Sequence, residues 1–294
     1  VTLACEEDYE FELGDCTVIN YRTDSLAYCP GVIPFSNIYN EGTDQIGAWH
    51  GMPYPGYQYP FIYTIEDGYE THLNNMVDFL YDSQVAYSTH LPELGPVAPA
   101  YVWNRWDNFK YGDPDTFTMY HWGDGKAWSG YQPRAFTGAA RAWYELVVQG
   151  KPVPPKLITF CERWLSWLYQ YTQTHNGRTP SNFYPDQIAD HDDDDINGHM
   201  AGLWLAGASY MALAGATTTH LHEFMEISVK ELRQFYLVSH IPNHPMNGTW
   251  SSAPRLNTDN GMFFGFHAGE ILRGLATYML YKKLGPLGNM YEVN

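Results

Sequence analysis

The sequence predicts a mainly α fold of three to four stacked helical hairpins behind an irregular, partly β N-terminal lead-in. Three observations carry that reading. An apolar, glycine-led segment recurs at Gly130-Tyr131-Gln132, Gly198-His199-Met200 and Gly261-Met262-Phe263, with starts 68 and 63 residues apart and a small residue eight positions on, at Gly138, Ala206 and Gly269. Each such segment is apolar nearly all round, as a buried helix is, and is followed by an amphipathic one, as a surface helix is. The connections alternate as well: short at about 150–154 and 215–218, long at about 174–196 and 239–259.

Residues 1–62 form the lead-in, rich in Gly, Pro, Tyr and Asn, with β-like runs such as Cys16 to Tyr21; residues 63–294 form the hairpin domain. Tyr69, Leu73, Met76, Val77, Leu80 and Gln84 follow helical spacing, which predicts a helix over 66–89 ended by Pro92. After the first buried helix, Leu157, Cys161, Trp164, Leu165 and Leu168 mark an amphipathic helix that stops at Asn176-Gly177. The stretch from Met200 to Ala216 is interrupted by Gly202, Gly207, Ser209 and Gly215, so it reads as a buried helix and no membrane span is expected. Leu221, Phe224, Met225, Ser228, Leu232, Phe235 and Tyr236 then share one face of the next surface helix.

Composition excludes whole classes of function. Sixteen Lys+Arg against 33 Asp+Glu give a net charge of −17, which excludes a grip on nucleic-acid phosphates. An aromatic share of 16% is more than one core is expected to hide, so some rings should line a surface that binds a flat, apolar ligand. Cys5, Cys16 and Cys29 crowd the start while Cys161 stands alone, which fits one N-terminal disulfide but neither a disulfide framework nor a CxxC metal site. The chain begins with Val1 without a signal-peptide pattern, so processing or excision from a longer polypeptide is expected. G-x-S-x-G, Walker A, Rossmann and H-E-x-x-H patterns are missing, which leaves serine hydrolase, nucleotide-binding and zincin readings without support.

The densest chemistry lies in Trp103-Asn104-Arg105-Trp106-Asp107, Tyr120-His121-Trp122-Gly123-Asp124 and Trp128-Ser129-Gly130-Tyr131-Gln132-Pro133-Arg134. Indole and phenol rings offer flat faces to sugar C–H surfaces, while guanidinium and imidazole groups bond hydroxyls or uronate carboxylates. Trp103, Arg105, Trp106, His121, Trp122, Trp128, Tyr131 and Arg134 are therefore the expected substrate contacts; the competing role is packing this loop onto the helices. Asp124, Asp195 and Asp259 precede the three repeat glycines by six, three and two residues, which places them at the helix amino ends, on one face. Paired carboxylates across a cleft are what glycoside hydrolysis requires, so these three are the expected catalytic residues, with helix capping the alternative for Asp195 and Asp259.

In the run His191-Asp192-Asp193-Asp194-Asp195, adjacent carboxylates repel and need a cation, a helix dipole or open water. Calcium on Asp192 and Asp194 is the metal reading, although the spacing is not that of an EF-hand and no cofactor is required. Two polar stripes cross the buried helices: Arg134, Thr137, Arg141 and Glu145, then His267, Glu270 and Arg273. Pairing of Arg141 with Glu145 and of Glu270 with Arg273 satisfies them as structural ion pairs, and a central cavity would turn the same residues toward substrate. His199, Asn197 and Tyr131 are the groups a lyase would use as base and charge neutraliser.

The repeat over residues 130–284, about half the chain, resembles the α/α toroids of glycoside hydrolases and polysaccharide lyases. A closed ring of six such hairpins needs roughly 360 residues or more, so the resemblance implies an incomplete toroid, open or completed by partners. The stretch Trp128 to Phe136, continued by Ala139 to Leu146, is similar to bacteriophage virion and tail proteins. The first resemblance implies a carbohydrate-active protein, a glycoside hydrolase ahead of a lyase, acting on a surface or extracellular polysaccharide. The second implies a non-catalytic structural or glycan-binding part of a virion or extracellular assembly, as a homo-oligomer or larger array. Both imply an extracellular or virion-associated location.

Overall fold

The computed structural model describes residues 54–65, 70–102, 113, 116–120, 129–191, 198–238, 241, 243–251 and 265–292. Of these, 62% are helical, in six α-helices and several short 3-10 turns, so the chain is mainly α. The helices are α1 (Glu70–His90), α2 (Tyr131–Val148), α3 (Pro155–Thr174), α4 (Gly198–Leu213), α5 (Leu221–Leu232) and α6 (Gly265–Leu284). Strands β1 (Ala100–Val102) and β2 (Thr116–Thr118) pair antiparallel, with Tyr101 opposite Phe117.

Local signals set the ends. Pro133 falls in the first turn of α2, where its missing N–H has no partner to lose. Gly150 (φ 66°) ends α2 and Gly215 (φ 76°) ends α4, a left-handed conformation that glycine adopts without a Cβ penalty. In each case the next N–H reaches back to close the helix, Lys151 to the Leu146 carbonyl and Ala216 to that of Met211. The same closure, Gly177 N–H to Thr172, ends α3 at the expected Asn176-Gly177.

These helices make two layers. In the inner one, Thr137 Oγ1 donates to the Leu203 carbonyl at 2.7 Å and the Tyr144 and Tyr210 rings lie 5.9 Å apart, so α2 and α4 run side by side in the same direction. His199 meets His267, and Gly202 meets Gly274, so α6 continues the row in parallel. The outer layer is α1, α3 and α5: Lys156 bridges to Asp78 at 2.7 Å, Trp167 Nε1 donates to Glu93 at 3.1 Å, and Tyr169 donates to Glu223 at 2.7 Å. Tyr278 donates to Glu226, while Tyr281 three residues on stacks with His222 four residues back, so the layers run in opposite directions. Between them Trp164 and Trp204, both fully buried, stand 5.1 Å apart, with Phe136 and Phe183 against them.

Three features differ from the sequence reading. The connections from outer to inner helices carry β pairing: β1 with β2, and bridges Asn182 to Asp190 and Tyr236 to Trp250. Their runs of three residues or fewer are too short to show a hydrophobic period. Residues 54–65, mostly assigned to the lead-in, pack on α2 as two 3-10 turns, so tightly that a Cβ on Gly56 would stand 2.3 Å from the Tyr131 Cα. The third inner helix is described from Gly265, while its expected start at Gly261 lies outside the described residues. The described helices form rows of three, and nothing among the described residues closes them into a ring. No described helix is long and apolar enough to cross a membrane.

Candidate functional site

The inner helices bring their amino ends together. Arg134, in the first turn of α2, donates from Nη1 to the Gly130 carbonyl at 2.8 Å, and its guanidinium carbon lies 5.2 Å from the Phe266 ring at the start of α6. His199, second in α4, stacks on His267 at 4.1 Å with 10° between the planes, and Phe266 lies 6.3 Å from His199.

Beside this meeting point is a pocket of about 180 Å³. Its walls are Arg134, Thr137, Gly138 and Arg141 of α2, Leu203 of α4, Glu270 and Arg273 of α6, and Tyr59 and Phe61 of the N-terminal turns. The two polar stripes of the sequence thus face one space. Arg141 Nε bonds Glu145 Oε1 at 3.3 Å, and its guanidinium carbon lies 4.0 Å from the Phe61 ring centre. Arg273 pairs with Glu270 at 3.4 Å. Burial works against the Arg141 charge, but Tyr210, Glu145 and the side-chain hydrogen bonds outweigh it and hold its pKa above the ordinary guanidinium value. Three guanidinium groups and the carboxylates of Glu145 and Glu270 gather here, within a chain of net charge −17. Such a cluster favours a carboxylate or sulfate ligand held by planar, bidentate contacts.

The C-terminal segment braces the pocket. Tyr291 donates to Glu145 Oε1 at 2.6 Å, and Tyr144 donates to the Gly288 carbonyl while accepting from Met290 N–H. Burial first, and then the bond to Glu145, push the Tyr291 phenol up to about 12; burial and the bond to Glu226 do the same for Tyr278. Both values exceed the unfolded one of about 10, so folding favours the protonated phenols. Their contribution is whole below pH about 10 and is lost as pH rises through about 12. Thermal melts across that window are expected to drop steeply for the wild type and less steeply for the double variant Tyr278→Phe, Tyr291→Phe.

A larger hollow of about 770 Å³ lies on the outer face of α3, lined among others by Glu93, Glu162, Arg163, Trp167, Tyr171 and His175. Burial raises the Glu93 pKa, partly offset by the indole N–H of Trp167. Its aromatic faces are already used: Tyr171 stacks on His175 at 3.8 Å, and Trp167 and Tyr171 are only 8% and 5% exposed. These rings are engaged with one another, so the smaller pocket, with its three arginines, is the better site.

Of the sequence-predicted contacts, Arg134 lines the pocket and Tyr131 does not. Tyr131 is 2% exposed and stacks on Tyr54 at 4.7 Å, so its ring serves the core. Trp103, Arg105, Trp106, His121, Trp122, Trp128 and the expected catalytic Asp124, Asp195 and Asp259 lie outside the described residues, as do Asp192 and Asp194. Among the described residues no group of three His, Cys, Asp or Glu is placed to hold a metal ion. Sequence reasoning missed Tyr59 and Phe61, whose segment has no period to mark them. It had Arg141, Glu270 and Arg273 as stripes, and their convergence is the new information. No protein-family model matches the chain, and neither a curated protein nor a solved structure matches it.

Proposed function

We propose that this chain is a carbohydrate-active protein of the α/α-hairpin kind that takes an acidic sugar unit into the arginine pocket. The observation that supports this reading is the gathering of Arg134, Arg141 and Arg273 around one cavity of an otherwise acidic chain. An isolated −17 charge repels a polyanion, and a locally basic cleft reverses that at short range, within a Debye length of about 8–10 Å. In this reading the chain is one arc of a toroid. In the same reading the carboxyl groups of Asp124, Asp195 and Asp259 supply the acid and base of glycosidic cleavage. The sugar is part of an extracellular or surface polysaccharide.

A second reading, a non-catalytic glycan-binding part of a larger assembly, draws on α6, where the apolar Leu272 and Met279 are 49% and 62% exposed. The two are separated by incubating the protein with a polyuronate and with a neutral polysaccharide. The proposal expects new reducing ends from the acidic polymer, lost in Asp124→Asn while binding persists. Binding without turnover by the wild type favours the second reading, and absorbance of an unsaturated product in the near ultraviolet marks a lyase. Failure to bind either polymer defeats both.

A further inference from the structure

Helix α6 carries a second surface, on the side away from α4. Ile271 and Gly274 pack against Gly198 and Gly202, whereas Gly265, Gly269, Leu272, Ala276, Met279 and Lys283 are all exposed. Their spacing alternates four and three, the seam of a helix that pairs with another. Among the described residues, a Cβ on Gly265 or Gly269 would meet nothing within 4 Å. Helix α4 meets α2 at Gly207, against Phe136, and α6 meets α4 at Gly274, so packing aligns the two helices 67 residues apart, one turn beyond the 63 of the sequence repeat. Its residues equivalent to Gly265 and Gly269 are Gly198 and Gly202, the two at which α4 receives α6. Helix α6 therefore leaves exposed the surface by which α4 holds its neighbour.

The side-chain sizes along this seam are self-complementary. When the seam is laid antiparallel on itself about residue 274, Leu272 faces Ala276, Met279 faces Gly269 and Lys283 faces Gly265, so each large side chain meets a small one. We infer that α6 is a homodimer interface, in which two copies of this chain pair their α6 helices antiparallel across a two-fold axis. A two-fold axis requires one patch complementary to itself, and this patch meets that requirement at three positions on each side of its centre. A single helix pair buries less than the roughly 800 Å² per partner of a standard interface. The dimer is therefore reversible, with a dissociation constant of roughly micromolar order.

Sedimentation equilibrium over about 1 to 200 μM spans that range, and the wild-type mass is expected to rise from that of one 33.7 kDa chain toward twice that value. Gly269→Leu places a side chain in open space within one chain but against Met279 of the partner subunit, so it is expected to raise the dissociation constant at least tenfold. Its melting temperature is not expected to fall, because glycine is a poor helix former. Leu272→Glu is expected to weaken the dimer similarly. A wild type that stays monomeric throughout overturns the inference. So does a dimer, or a larger assembly, that persists unchanged in both variants.

Discussion

Gly274→Ala is expected to destabilise the protein by about 3 kcal/mol, the upper end of overpacking costs, and to lower its melting temperature by roughly 10 °C. A Cβ there would stand 2.1 Å from the carbonyl oxygen of Gly202, and the reciprocal Cβ on Gly202 would stand 2.5 Å from the carbonyl of Glu270. Both obstacles are backbone, so no rotamer change relieves them. The whole of α6 must back away from α4, and the row of inner helices opens. Gly269→Ala, one and a half turns earlier in the same helix, is the matched control. It meets no atom of the described residues within 4 Å and is expected to stabilise by up to about 1 kcal/mol in dilute solution. Equal effects from the two substitutions, measured by urea or thermal melts, contradict the parallel packing of α4 with α6.

Arg273→Gln is expected to weaken binding of an acidic oligosaccharide roughly tenfold to a hundredfold, the loss of one charge-assisted contact of about 1.5–3 kcal/mol, while leaving the fold intact. Its side chain is 36% exposed, and its bond to Glu270 is long at 3.4 Å, so its removal costs little stability. Arg141 is a poorer probe: it balances Glu145, whose side chain is 9% exposed, and removing it strands that charge. Titration calorimetry with an acidic and a neutral oligosaccharide of equal length reads the effect. Loss confined to the acidic ligand is the expected pattern, and unchanged affinity places recognition elsewhere.

Much of the helical order was legible because it depends on local rules. The 3.6-residue spacing of Leu73, Met76, Val77 and Leu80 marked α1, and Asn176-Gly177 marked the end of α3. The apolar circumference of α4, buried at every position but His199, marked an inner helix before any neighbour was known. Partnerships were not legible, since they depend on which faces meet. Arg141 and Arg273 lie 132 residues apart, and only the parallel row of α2, α4 and α6 sets them around one cavity. The aromatic excess likewise divided in a way that composition does not reveal. Trp143, Trp164, Trp167 and Trp204 went into the core, together with Tyr131, which the sequence reading had assigned to substrate.

Three inner helices, aligned in one direction, bring guanidinium groups far apart in the chain around one pocket, which we propose takes an acidic sugar. A crystal structure of the protein with a bound oligouronate tests it most directly. The expected result is a uronate carboxylate within hydrogen-bond distance of Arg273 or Arg141, with the sugar against Tyr59 or Phe61. A ligand seated in the hollow beside Trp167 and His175, with the arginine pocket unchanged, would contradict it.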